Sequence, residues 1–181
     1  MKAVALLLVA SVASAAPKKD LERTHKSTNH LAPPVPGAKP AALVNLYNEH
    51  THEWLAVDPS QPLPNVDRFL RDHFTNKSMA MDAHLVPILL AAAANFHADT
   101  VYVVSGFRHP KYNLMLRKKG HQVARDSQHT RGNAIDFYLP NVTTLQLHAW
   151  AKSQKLGGVG LYLESKFVHM DVGPIRYWSG D

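Results

Sequence analysis

Two short apolar runs carry ionisable residues where a strand should be most apolar. "AIDFYL" spans residues 134–139 and "KFVHMDVG" spans residues 166–173. Successive side chains of a strand point to opposite faces. Ile135 and Phe137 therefore share one face, as do Val168, Met170 and Val172, and both faces belong to a core. Asp136 falls on the opposite face of the first run, and His169 and Asp171 on that of the second. A carboxylate in an apolar strand is costly unless something neutralises it. A sheet is expected, with one face on a core and the other lining a cleft that holds charge. A solvated polar face is the competing reading for His169 and Asp171.

The stretch before the first run sharpens this. In "SQHTRGNAIDF" (127–137), Gly132 permits a tight turn where loop becomes strand. The loop can then fold the ring of His129 toward Asp136, and a metal ion would supply the missing positive charge. The chain has no cysteine, so zinc fingers built on thiolates, thiol catalysis and iron–sulfur clusters are excluded. Any metal must be held by His, Asp or Glu, a donor set that favours zinc. Two His, one Asp and a water make an open site of the catalytic kind.

At 181 residues the chain is expected to form one domain plus tails. Residues 1–15 read as a secretory leader: Met1-Lys2, the apolar run "AVALLLVASV", then Ala13-Ser14-Ala15 as a cleavage signal. The run is too short to span a bilayer well, so no membrane span is expected in the mature chain. Residues 16–40 hold five prolines and few large apolar side chains, and read as a linker. The folded domain is assigned to residues 41–181. Six basic and two acidic residues fall within 1–40, so only +2 of the formal +6 belongs to residues 41–181. The domain has no nucleic-acid signature. The basic tail suits an anionic envelope surface or a merely solvated linker.

Pattern and punctuation place the elements. A strand pair is expected over 42–57 with a turn around Asn48–Thr51. Helices are expected over 65–74, over 82–98 with Asp82 as N-cap, over 110–120 closed by Gly120, and over 143–154 capped by Thr143 or Asn141. "TVYVVSGF" (100–107) reads as a central strand, and "GGVGLYL" and "FVHMDV" as strands joined by a turn at 164–166. The fold class is α+β, with a small antiparallel sheet carrying the site and helices flanking it.

"SGFRHPKYN", then "SQHTRGNAIDF", then "FVHMDVGPIRYW" resembles the zinc murein peptidases. These comprise the D-alanyl-D-alanine carboxypeptidases and the endopeptidases related to murein endopeptidase K, in the wider lysostaphin and hedgehog structural group. The resemblance covers residues 42–178. It implies a hedgehog/D-Ala-D-Ala peptidase-like fold, one Zn2+ per chain held by His129, Asp136 and His169, and Arg108 at the substrate carbonyl or carboxylate. It also implies Ser127 as a substrate contact, with Gln128 and Tyr112 as cleft-wall residues. Some relatives place an acidic residue three positions before the last His ligand; here that position is Lys166. Asp171 is favoured as general base from strand periodicity, with Glu164 as the alternative base and orientation of His169 as the alternative role of Asp171.

The implied function is hydrolysis of peptide cross-links in peptidoglycan by an exported, monomeric enzyme of the periplasm or cell envelope. A carboxypeptidase that trims stem peptides is the near alternative, and a non-catalytic zinc- or peptidoglycan-binding module the distant one. His50 and His52 are read as polar turn residues and His73 as a helix-surface residue. His109 and His121 are expected near the cleft.

Overall fold

The computed structural model describes residues 44–57, 65–121 and 123–180. The expected leader, the expected linker and the first residues of the expected domain lie outside them. Seven strands form one sheet: β1 (Val44–Asn48), β2 (Glu53–Val57), β3 (Thr100–Ser105), β4 (Ala134–Tyr138), β5 (Gly158–Tyr162), β6 (Phe167–Asp171) and β7 (Arg176–Gly180). Their order across the sheet is β2-β1-β3-β4-β6-β5-β7. The α+β class holds, while the sheet is larger than expected and mixed. The site strands β3, β4, β6 and β5 pair antiparallel, but β1 pairs parallel with β3 and β5 with β7. Sequence alternation marks faces, not direction, so the parallel pairs were not visible in it.

Among the described residues four α-helices accompany the sheet: α1 (Val66–Phe69), α2 (Leu85–Asn95), α3 (Pro110–Lys118) and α4 (Thr144–Ser153). Leu85, Ile88, Leu89 and Ala92 of α2, with Leu147 and Ala151 of α4, bury against the strand face formed by Val101, Val103, Ile135, Phe137, Val168 and Met170. Removing that much apolar surface from water is the main favourable term in folding. Thr143 starts α4 with a capping box: its Oγ1 accepts from Gln146 N–H, and the Gln146 side chain accepts from Thr143 N–H.

Two helices differ from expectation. α1 ends at Phe69 because the next residues serve other bonds. The buried Asp72 accepts from the backbone and hydroxyl of Thr75 and from His109 N–H, which makes a turn instead of another helical turn. α2 begins at Leu85, not at Asp82; the Asp82 carboxylate accepts from the His84 N–H in the turn before it. Pro87 then sits in the first turn, where a missing N–H costs little.

The other sheet face is polar and aromatic. Tyr47, Tyr102 and Tyr138 form a ladder on it, with ring centroids 5.7 and 4.9 Å apart. Further along, register alone aligns a transverse row: Ser105 opposite Asp136, Asp136 opposite His169, His169 opposite Gly160, and Gly160 opposite Trp178.

Gly132 closes the short 3-10 helix Gln128–Arg131 that feeds β4. Its φ is +74°, and an added Cβ would lie 2.5 Å from the Ala80 carbonyl oxygen. Gly132→Ala should therefore destabilise the fold by about 1–3 kcal/mol, read as a lowered urea midpoint. An unchanged midpoint would mean that the loop accepts a side chain there.

Candidate metal centre

Three side chains from three places in the chain converge on the polar face. His129 comes from the 3-10 helix, Asp136 from the middle of β4 and His169 from the middle of β6. All three are buried. His129 Nε2 lies 3.1 Å from Asp136 Oδ1 and 3.0 Å from His169 Nδ1, and His169 Nδ1 lies 2.8 Å from Asp136 Oδ1. One ligand atom from each falls within 4.8 Å of the others.

The outer bonds decide what those atoms are. His129 Nδ1 lies 2.7 Å from the Gly106 carbonyl oxygen. A carbonyl can only accept, so Nδ1 carries the proton and Nε2 of the neutral ring presents a lone pair inward. His169 Nε2 lies 2.9 Å from Asp171 Oδ2 and donates to it, so Nδ1 of the neutral ring faces inward with its lone pair. Two lone-pair nitrogens and a carboxylate oxygen thus point at one another. They need a shared positive charge, and a cation bound by nitrogen and oxygen fits that need.

Electrostatics agree. Burial alone would raise Asp136, but the imidazoles of His129 and His169 outweigh it and hold the carboxyl far below its usual range. Burial is the largest influence on His129 and lowers it, keeping the ring neutral against the pull of Asp136. Burial would also lower His169, but its bonds to Asp136 and Asp171 prevail and raise it. The centre favours positive charge.

The trio lies along an open cleft of about 730 Å3, walled by Ser127, Gln128, Tyr162, Phe167, Arg176 and Trp178 among others. A second lobe of about 250 Å3 continues past Arg108 and Asp136 to His50, His73 and Tyr112. Arg108 is only 9% exposed and lines both lobes. Its Nη2 lies 3.6 Å from Asp136 Oδ2, and its backbone N–H donates to the His129 carbonyl. Ser127 caps the 3-10 helix, its Oγ accepting from His129 N–H at 3.3 Å. Gln128 accepts from Asn133 Nδ2 at 3.3 Å. Tyr112 lines the smaller lobe only.

Asp171 departs from expectation. It is fully buried and lines neither lobe. Oδ2 accepts from His169 Nε2 and Arg176 Nη2; Oδ1 accepts from the N–H groups of Gly158 and Gly173 and from Arg176 Nη1. Burial pushes its carboxyl up, but the bonds from His169, Arg176 and Gly173 hold it well below the usual range. It sits behind the imidazole, on the side away from the trio. Glu164 is exposed in the β5–β6 turn and lines neither lobe. His73, expected on a helix surface, lies beyond α1, stacks on His50 at 3.9 Å and joins the smaller lobe.

Trp178 and Arg176 were not singled out from sequence. Trp178 packs beside the His169 ring with centroids 5.1 Å apart, and its Nε1 donates to the Tyr162 hydroxyl at 3.2 Å. Their segment "RYWSG" has no period-two alternation, and Pro174 stands just before it.

A His–Asp–His trio set in an open cleft on an α+β sheet fits a metal centre of the open, catalytic kind. The particular family follows from comparison: residues 37–178 match the family described as peptidoglycan L,D-endopeptidase MepK, and the chain belongs to it. Among its relatives is the probable peptidoglycan L,D-endopeptidase MepK of Haemophilus influenzae, 35% identical over 120 residues, which are 65% of this chain and 64% of that protein. The peptidoglycan L,D-endopeptidase MepK of Escherichia coli K12 is 32% identical over 144 residues, 75% of this chain and 79% of that protein. The match thus spans slightly under two thirds of the first relative. No solved structure matches the chain.

Asp136→Asn keeps the shape of the trio but removes its one negative charge. Divalent-metal affinity, read by competition with a chromogenic chelator, should fall by more than about 100-fold, since even residues one layer behind a ligand are worth about 10–100-fold. Retained affinity would mean that the metal is held elsewhere.

Proposed function

We propose that this chain is a zinc-dependent peptidoglycan endopeptidase, holding one Zn2+ per chain at His129, Asp136 and His169. The observation that carries this reading is the set of three inward lone-pair donors, with no proton assigned between them, on the wall of a cleft that continues to both sides. Three nitrogen and oxygen ligands with no sulfur leave a coordination position for water or substrate. Zinc bound there would lower the pKa of a water to about 7 and polarise a carbonyl.

The remaining work belongs to side chains. The Gly106 carbonyl and Asp171 lock the two imidazoles so that their lone pairs share one target. Arg108, buried between the lobes, offers its guanidinium where negative charge develops on the substrate oxygen. Ser127 and Gln128 bind peptide groups along the larger lobe, and Tyr112 packs substrate in the smaller. Among the described residues, Asp126 is the one carboxylate besides Asp136 that lines the cleft. It replaces Asp171 as the group to take the water's proton and pass it to the leaving amine.

A cleft with two lobes lets a peptide continue on both sides of the cut, which favours an endopeptidase over a carboxypeptidase. The L,D bond type follows from the names of the relatives. We assign residues 1–15 to a leader, 16–40 to a basic linker and 41–181 to the catalytic domain of a monomer that works in the periplasm or cell envelope. No helix among the described residues is long and apolar enough to cross a membrane.

Digestion of purified peptidoglycan by the zinc-loaded chain, beside His129→Ala, tests this by mass spectrometry. Cross-linked dimers should disappear and monomers accumulate with the wild type only. Release of a single terminal amino acid would make the enzyme a carboxypeptidase. Unchanged peptidoglycan with zinc bound would point to a binding module. Asp126→Asn should retain zinc and lose at least about 100-fold in turnover; full activity would remove Asp126 from the mechanism.

A further inference from the structure

We infer that Arg176, on the edge strand β7, is a positioning residue for the metal centre, acting on His169 through Asp171. The inference rests on the proposed metal site and extends it one layer outward.

β7 is separated from β6 by β5. A side chain on β7 reaches β6 only if β5 leaves room. It does so at Gly158, which stands opposite Arg176, and at Gly160, which stands opposite Trp178. A Cβ on Gly158 would lie 2.5 Å from both Arg176 Nη1 and Asp171 Oδ2, and a Cβ on Gly160 would lie 2.6 Å from the Trp178 ring. The two glycines are windows through which the edge strand touches the site.

Through the first window Arg176 grips Asp171 with two bonds, Nη1 to Oδ1 at 3.1 Å and Nη2 to Oδ2 at 2.7 Å. A fork of this kind fixes the plane of a carboxylate as well as its distance. Oδ2 is the oxygen that receives His169 Nε2, so the plane set by Arg176 sets the direction of that bond. Through the second window Trp178 stands beside the same imidazole, and the Arg176 guanidinium lies over the Trp178 ring at 5.0 Å. An ordinary surface ion pair does not have this form. The carboxylate here is fully buried, and the other atom bonded to the shared oxygen belongs to a metal-binding residue.

Losing Arg176 leaves Asp171 Oδ1 with two backbone donors, so the fold survives while the carboxylate gains freedom to turn. The test measures zinc affinity of the full chain by chelator competition, with a urea midpoint for each variant. Arg176→Ala should weaken zinc about tenfold. Arg176→Lys should not rescue it, because an ammonium cannot hold both oxygens at once. Asp171→Asn should weaken zinc at least as much, and adding Arg176→Ala to Asp171→Asn should cost nothing further, as expected for residues acting in series. The His169 ring nitrogens, read by NMR in the metal-free chain, should lose their single fixed tautomer in Arg176→Ala. Wild-type zinc affinity in Arg176→Ala, rescue by Lys, or additive losses in the double variant would overturn the inference while leaving the metal site standing. A wild type without zinc affinity would overturn the site and this inference together.

Discussion

Asp136 is a carboxylate buried in the middle of a sheet, and the architecture around it compensates that one charge. An isolated ion in such a place is too costly to keep. Here two imidazoles contact one of its oxygens, and a guanidinium lies within 3.6 Å of the other. Each of those partners is itself tied down. His129 is held by Gly106, His169 by Asp171, and the Arg108 backbone by the His129 carbonyl. Because the partners compete for the same oxygen with lone pairs facing inward, the arrangement is completed by a cation and not by more hydrogen bonds. That demand for positive charge is the physical content of the proposed zinc site.

The sheet supplies the accuracy. Asp136 and His169 face each other because β4 and β6 pair in that register, and a slip of one residue in either strand would turn its own ionisable residue into the core. The apolar face prevents such a slip. Phe137 and Val168, paired across the same two strands, are fully buried under the helices. Packing on one face therefore sets chemistry on the other. His129 alone arrives from outside the strands, and the short helix closed by Gly132 brings it in.

Most of this was legible in the sequence because strand alternation is a strict rule. It placed Ile135, Phe137, Val168 and Met170 in the core and Asp136 and His169 on the opposite face, where they are. The same rule put Asp171 on the site's face but is silent about which way along the strand its carboxylate is used. A side chain two residues from His169 can reach the cleft or the back of the ring, and the choice depends on Arg176, Gly158 and Gly173. β7 was illegible for a related reason. Its five residues have an intermediate or exposed burial pattern, so no apolar stripe announces a strand. His50 and His73, separated by 22 intervening residues, meet through tertiary packing that no local pattern encodes.

The centre is thus asymmetric in a way that suits catalysis. On one side the trio and Arg108 line a cleft open to solvent. At its edge, β5 and β7 flank His169 with a carboxylate buried behind the ring and with a guanidinium fork and an indole that also wall the cleft. A ligand that must be held to a fraction of an ångström gains most from rigid neighbours on regular elements. An edge strand with little apolar surface adds little to the core. Its place at the sheet's end is explained if its two inward side chains serve the site, and the paired glycines of β5 are the feature that lets them do so.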